Sequence, residues 1–375
     1  MGSRGNSQGA ICENEAYLTQ QLITYIGNKR ALLHFIRHGI EKIRHKLNKE
    51  KLAMFDVFSG SGIVARYFKQ FSSLLLVNDL EKYSTLINQC YLSNIDEIDL
   101  MEIKKYYVEI MSELSSKKLE HGIIADLYAP KDDSNIKPDE RVFYTTRNAM
   151  YIDTVRKLIE NVPQNMQKYF LAPLLSEASV HANTSGVFKG FYKNTETGIG
   201  QFGGKNQDAL FRIKGDIKLP FPVFSNFYSD VMVFNGDSNK IINNAPEVDI
   251  AYLDPPYNQH PYGSNYFMLN LILDYKYPDN TSKVSGIPDN WNRSDYNKEN
   301  IAYKVLKELV TNINAKYILI SFNSEGFIDL EEMKVMLKTI GKLGILETRY
   351  NTFRGSRNLS DREIHVKEYL YLLEK

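Results

Sequence analysis

Residues 54–62 read Met-Phe-Asp-Val-Phe-Ser-Gly-Ser-Gly. Met54–Phe58 is a short apolar run containing one acid, Asp56, and Ser59-Gly60-Ser61-Gly62 stops it. A helical pattern over Ile63–Phe71 follows. A buried strand, a glycine turn and a helix open a parallel α/β unit. Glycines at such a turn let the backbone approach a ligand, and the helix start offers free N–H groups and a positive dipole. In isolation the same residues would also suit an ordinary tight turn.

Further along, Leu74–Val77 predicts a second strand ending at Asn78-Asp79, and Lys82–Leu92 a second helix. Asp79 lies 17 residues beyond Gly62. An acid at that strand end is where doubly wound sheets hold ribose hydroxyls. The two features together point to a nucleoside-type cofactor. In the other direction, Leu32, Leu33, Ile36, Ile40 and Ile43 have helical spacing, which predicts helix across Tyr17–Leu47. Residues 1–16 form a tail, small, polar and Gly/Ser-rich over Met1–Ala10.

The alternation stops at residue 96. Residues 96–224 predict helices over Ile98–Leu114, Arg147–Glu160 and Gln167–Ser179, then a glycine-containing loop segment over Val180–Phe224. Strands resume at Asp230–Phe234 and Asp249–Leu253. Tyr266–Tyr275 predicts a helix, Tyr277–Tyr296 a long loop and Ile301–Ile313 a helix. Tyr317–Phe322 predicts a strand and Leu330–Lys342 a helix, with Ile345–Tyr350 and Glu368–Leu373 as an antiparallel edge pair. The expected fold class is α/β, a Rossmann-like sheet built from 17–95 and 225–375, with 96–224 inserted as a helical and loop domain.

Asp254-Pro255-Pro256-Tyr257 follows the Asp249–Leu253 strand. The prolines stiffen the turn and lack N–H groups. The Asp254 carboxylate and the Pro255 carbonyl are thus paired acceptors for one target. A planar amino group on a base ring is a poor nucleophile; two acceptors on its hydrogens draw it toward a tetrahedral shape and free its lone pair. That is catalysis by positioning and electrostatics. Tyr257 suits stacking on a base taken out of a duplex.

With these motifs in order, the sequence resembles the Dam-like, D12-class DNA adenine-N6 methyltransferases of restriction–modification systems, in their alpha motif order. Tyr25-Ile26-Gly27-Asn28-Lys29-Arg30 is similar to the family's N-terminal motif, which implies that Tyr25, Gly27 and Lys29 bind S-adenosylmethionine. Asp56, Phe58, Gly60 and Gly62 match its glycine motif, Asp79 its ribose acid, Asp237 a position beside the adenine of the cofactor, and Asp254–Tyr257 its catalytic tetrapeptide. Ser321–Gly326, Val366–Leu370, Glu140–Thr145 and His181–Gly186 also resemble family patterns. Phe267 departs from them, standing after Asn265-Tyr266 where a histidine is more usual. The resemblance implies S-adenosylmethionine as cofactor, no metal, double-stranded DNA as partner, a monomer on DNA, a separate cognate endonuclease and a cytoplasmic location.

The insert is the expected reader of DNA. Lys189, Lys193, Lys205, Arg212, Lys214 and Lys218 are interleaved with Phe188, Phe191, Tyr192, Phe202 and Phe211. Basic side chains hold phosphates, and aromatics wedge where a base leaves the stack. Asn183, Asn265, Tyr266 and Arg354 complete the expected nucleic-acid set. A solvated loop with surface lysines is the competing reading.

Bulk properties set few limits. The chain has 375 residues, 24% of them charged, and a formal net charge of +1. Its two cysteines, Cys12 and Cys90, cannot build a disulfide framework or a cysteine zinc site. No apolar run reaches the roughly 18 residues of a membrane span. A cytosine-N4 enzyme would share the geometry but more often opens the tetrapeptide with Ser. RNA or protein-amide methylation more often uses Asn there. C5 methylation needs a Pro-Cys loop, which is lacking. A non-catalytic DNA-binding regulator on this scaffold would have lost Asp254 or the glycine turn.

Overall fold

The computed structural model describes residues 12–204, 207, 209–351 and 365–375. In chain order it begins with α1 (Glu15–Thr19), α2 (Leu33–Leu47), β1 (Leu52–Asp56), α3 (Ile63–Phe68), β2 (Ser72–Asp79) and α4 (Lys82–Tyr91). The helical segment holds α5 (Leu100–Ser116), α6 (Ile123–Tyr128), α7 (Thr146–Ile159), α8 (Lys168–Val180) and α9 (Leu210–Lys214). Then come β3 (Asp230–Asn235), α10 (Ser238–Ile241), β4 (Val248–Leu253), α11 (Tyr262–Asn265) and α12 (Phe267–Asp274). The chain closes with α13 (Glu299–Asn312), β5 (Ala315–Asn323), α14 (Leu330–Lys338), β6 (Lys342–Asn351) and β7 (His365–Glu374).

The seven strands form one sheet in the order β3-β2-β1-β4-β5-β7-β6. β7 runs antiparallel to both its neighbours, and the other pairings are parallel. The central strands β1 and β4 pair Met54 with Ile250 and Asp56 with Tyr252. Strand order reverses between them, so their carboxyl ends flank the crevice where open α/β sheets bind ligands. One face is covered by α2 and α3, where Ile36, Ile40, Val64 and Phe68 pack on Met54, Leu75 and Leu319. Gly39 lets α2 lie close, since a Cβ there would come 2.8 Å from Leu370. The opposite face is covered by α13 and α14 through Leu306, Leu309, Met333 and Leu337. An Asp329–Glu332 capping box fixes the start of α14.

The helical segment shares its core with the sheet domain. Ile103, Ile152, Phe170 and Leu174 lie in one cluster with Tyr83, Ile87, Phe267 and Ile272 of α4 and α12. Polar ties reinforce this joint. Asp153 of α7 accepts backbone N–H bonds from Gly122, Ile124 and Ala125, and the hydroxyl of Tyr275 beyond α12. Arg156 donates to the Ile272 and Leu273 carbonyls.

Three expectations need correction. The helix expected over Tyr17–Leu47 is broken between Thr19 and Arg30, where Gly27 takes φ +73° and the chain makes a pinned loop. The helix expected to reach Phe71 ends at Phe68, and that expected to reach Lys342 ends at Lys338. The residues beyond each turn into the strands β2 and β6.

Candidate active site

The glycine turn is built by backbone conformation. Gly60 and Gly62 have φ of +51° and +75°. A Cβ on Gly60 would lie 2.7 Å from the Tyr25 ring, and one on Gly62 2.8 Å from Asn88. Asp79 locks the turn, accepting from Gly60 N–H at 2.7 Å and from Glu81 N–H at 2.8 Å. Tyr25 stacks with Tyr262 and Tyr266 in a three-ring cluster, centroids 4.9 and 4.8 Å from it and 6.0 Å from each other. Its loop is held by Ile26 N–H donating to the Tyr266 hydroxyl and by the Tyr262 hydroxyl donating to the Ile26 carbonyl.

These parts line one cleft. Its walls include Tyr25, Gly27, Lys29, Phe58, Gly60, Asp79, Asp237, Asp254 and Pro256. Phe58 meets Tyr296 edge-on at 5.1 Å, which gives one wall an aromatic surface. Asp56 and Gly62 are not in the walls. Asp56 is buried below the turn, and neither of its oxygens makes a well-aligned hydrogen bond. Burial, with Asp254 and Asp79 nearby, pushes its carboxyl well above the usual range. Gly62 caps α3.

The cleft also holds residues that sequence reading missed. Glu81 accepts from the side-chain amides of Asn270 and Asn292, and burial with the charge of Asp79 raises it to about 7. Asn292 and Tyr296 come from the loop after α12, which folds over the cleft. The sequence marked that segment only as a long polar loop.

The tetrapeptide Asp254-Pro255-Pro256-Tyr257 follows β4. The Lys29 ammonium lies 3.0 Å from Asp254 Oδ1 and 3.4 Å from Glu368 Oε1 of β7, and 5.6 Å from the Tyr257 ring centroid. Lys29 and Glu368 are buried, whereas the Asp254 side chain keeps 17% of its surface open. Burial raises the Asp254 carboxyl, Lys29 lowers it and Glu368 raises it again, to about 6. Burial works to discharge Lys29, but Asp254 and Glu368 outweigh it and hold the ammonium charged. Tyr257 packs on Phe322, and its carbonyl accepts from Phe327 N–H.

The expected DNA contacts divide. Lys189 is exposed, and its charge, after burial, helps lower the pKa of His260 on the loop beyond the tetrapeptide. Lys193 is partly exposed, above the Phe191 ring. Lys205 and Arg354 lie outside the described residues. Three others, Asn183, Arg212 and Tyr266, use their polar groups within the fold, and a fourth, Asn265, does not. Asn183 is fully buried, donating to the Val142 and Gln201 carbonyls and accepting from Gly203 N–H. Arg212 donates to the carbonyls of Val180, Ala182 and Thr184 beyond α8. Tyr266 packs on Tyr25 and its hydroxyl accepts from Ile26 N–H, whereas Asn265 is buried with its backbone carbonyl taking Phe188 N–H and its side-chain Oδ1 without a partner among the described residues. Among the aromatics, Phe188 and Phe202 are core, whereas Phe211 is 96% exposed.

A Rossmann-like sheet in this order, with a glycine turn after β1, an acid ending β2 and an acceptor turn after β4, defines a methyltransferase scaffold. The chain belongs to the D12 class N6 adenine-specific DNA methyltransferases, whose family model matches residues 25–336. It is 30% identical over 362 residues to the Type II methyltransferase M.NlaIII of Neisseria lactamica, which covers 94% of this chain and 99% of that protein. It is 28% identical over 356 residues to M.CviAII of Paramecium bursaria Chlorella virus 1, covering 94% and 98% of the two chains. M.FokI of Planomicrobium okeanokoites is 27% identical over 362 residues; there the match takes in 94% of this chain and 52% of the relative. The chain is thus an enzyme that methylates adenine N6 in DNA. No described helix is long and apolar enough to cross a membrane.

Proposed function

We propose that the methyl donor is S-adenosylmethionine, held in the cleft between the β1 and β2 ends, and that Asp254 activates an adenine extruded from duplex DNA. The fit rests on the chain's own groups. The positive-φ glycines let the turn close against Tyr25 and Asn88, where a Cβ would collide, and so shape the cleft. Asp79 keeps acceptor capacity for hydroxyls, and Phe58 with Tyr296 offers an apolar slot for a flat ring. The acids Asp79 and Asp254 in the cleft walls make it suited to a cationic ligand. When bound, the donor supplies an electrophilic methyl on a sulfonium. Tyr25, Gly27, Lys29, Phe58, Gly60, Asp79 and Asp237 would hold it, with Asp56 and Gly62 supporting the turn from below.

The chain's part in the reaction is positioning. Asp254 and the Pro255 carbonyl accept the two amino hydrogens, and the prolines keep both acceptors aimed. Tyr257 stacks on the base. The amino proton lost after transfer passes from the Asp254 side toward solvent, to which that side chain is partly open. Lys189 and Lys193 hold phosphates, and the exposed Phe211 fits the gap left by the base. We assign DNA reading to the loops of 96–224, and expect a cytoplasmic monomer on DNA paired with a separate endonuclease.

The carrying observation is the Lys29–Asp254 pair at the mouth of the glycine cleft, on the switch point between β1 and β4. The test is methyl transfer from labelled S-adenosylmethionine to unmethylated duplex DNA, digested to nucleosides. Label in N6-methyladenine with the wild type is expected. With Asp254→Ala the rate should fall by about 100-fold or more, the scale for removing a transition-state acceptor. Donor binding should change little. Full activity of that variant overturns the mechanism.

A further inference from the structure

Glu368 is fully buried on β7, yet the reaction above gives it no task. Its Oε1 takes the Ser321 hydroxyl of β5 at 2.5 Å and lies 3.4 Å from Lys29 Nζ, while Oε2 has no hydrogen-bond partner among the described residues. A buried carboxylate with an open oxygen is costly unless a charge nearby repays it. Lys29 is that charge, but it is already within 3.0 Å of Asp254. One ammonium is therefore shared by two carboxylates, and the group of three carries a net negative charge.

We propose that Glu368 is a positioning residue for methyl transfer: it holds the Lys29 ammonium between two carboxylates, so that Asp254 is only partly neutralised and remains a strong acceptor for the adenine amino group. An ammonium devoted to Asp254 alone would draw off the electron density that the amino hydrogens need. A second carboxylate behind Lys29 divides that pull. The arrangement depends on the antiparallel β7, whose Glu368 lies opposite Asn323 of β5. The Ser321 hydroxyl then fixes which way the carboxylate faces.

The charges facing Asp254 come from Lys29, in the loop before α2, and Glu368 of β7, while the buried Asp56 of β1 is held toward its neutral form. Tyr252 of β4 and Tyr262 also face this group, as neutral phenols near pH 7, and Tyr257 lies beside Lys29. Of these, Glu368 raises the Asp254 proton affinity and Lys29 lowers it. Losing the Glu368 charge therefore moves Asp254 ionisation toward lower pH and makes it a weaker acceptor.

The inference rests on Asp254 being the amino-group acceptor. Its test is Glu368→Gln, which keeps size and an acceptor for Ser321. We expect kcat to fall about 10- to 100-fold, the range for a group that orients a reacting one without touching it. Donor affinity, read by titration calorimetry with S-adenosylmethionine, should stay within about threefold, about 0.65 kcal/mol. The acid limb of the kcat profile should move to lower pH. Glu368→Asp keeps the charge, and should keep the wild-type limb with a smaller loss of kcat. An unmoved limb and unchanged kcat in Glu368→Gln overturn the proposal. So does a donor affinity that falls in step with kcat, which marks a role in holding the cleft. If Glu368→Gln does not fold, Glu368→Asp decides: a wild-type limb supports the proposal, and a displaced limb or complete inactivity overturns it. Activity in Asp254→Ala would instead remove the underlying mechanism, so the two failures are distinct.

Discussion

At the scale of single residues, the reaction depends on one carboxylate whose charge is poised near neutrality. Burial and Glu368 raise Asp254 and Lys29 lowers it, leaving it at about 6. The acceptor role requires the ionised form, which is present above that pH and lost below it. kcat for methylation of duplex DNA should therefore fall with a slope of one as pH drops through about 6, and a pH–rate profile with saturating donor checks this. A flat profile between pH 5 and 7 would mean that Asp254 does not titrate in the working complex. Asp254 itself was legible in the sequence, because two prolines after a predicted strand leave few other conformations. Glu368 was not legible as a partner of Lys29. The two are far apart in sequence, and only the antiparallel entry of β7 beside β5 brings them together. Asn183 misled for a related reason. A buried asparagine that satisfies backbone groups has the same local sequence as one that reads a base.

At the scale of elements, the glycine turn carries the cofactor reading, and its tolerance is narrow. Gly60→Ala must place a Cβ 2.7 Å from the Tyr25 ring at φ +51°. Left-handed backbone costs a residue with a side chain about 1–2 kcal/mol, and Tyr25 is held against Tyr262 and Tyr266 with its loop pinned at Ile26, so it cannot retreat freely. The variant should melt several degrees lower and bind the donor at least about tenfold more weakly, as read by calorimetry. Unchanged donor affinity would separate the turn from the cofactor. Strands were read well because β1, β2, β4 and β5 are apolar runs with clear stops. Helix ends were read less well. The spacing of Leu32, Leu33, Ile36, Ile40 and Ile43 predicts a helix that extends back over Gln20–Lys29, but Leu22 and Ile23 bury in the cluster of α4 and α8 from a loop held by Tyr266 and Ser179. Propensity cannot report such tertiary pins.

At the scale of the whole molecule, the groups proposed to hold DNA gather where the insert loops meet the loop beyond Asp254. Phe188 N–H bonds the Asn265 carbonyl, and the Ser285 hydroxyl bonds the Lys189 carbonyl, so the two halves are stitched close to the tetrapeptide. Lys189→Ala with Lys193→Ala should weaken duplex binding and lower the slope of log K against log salt by roughly two, one for each phosphate contact. Fluorescence anisotropy at several salt concentrations reads this, and an unchanged slope would remove both lysines from the interface. Two of the expected contacts, Lys205 and Arg354, fall outside the described residues.

The shared cluster of α4, α7, α8 and α12 also bears on how such an enzyme acquires a new target sequence. A recognition segment on its own globule could be exchanged between lineages in one recombination event, as a cassette. Here a foreign segment would arrive with side chains cut to fit another α4 and α12, and would leave holes or clashes around Tyr83 and Phe267. New specificities should therefore arise mainly by gradual change in the exposed loops over a conserved joint. Grafts between relatives should succeed only when the two catalytic-side helices travel with the graft.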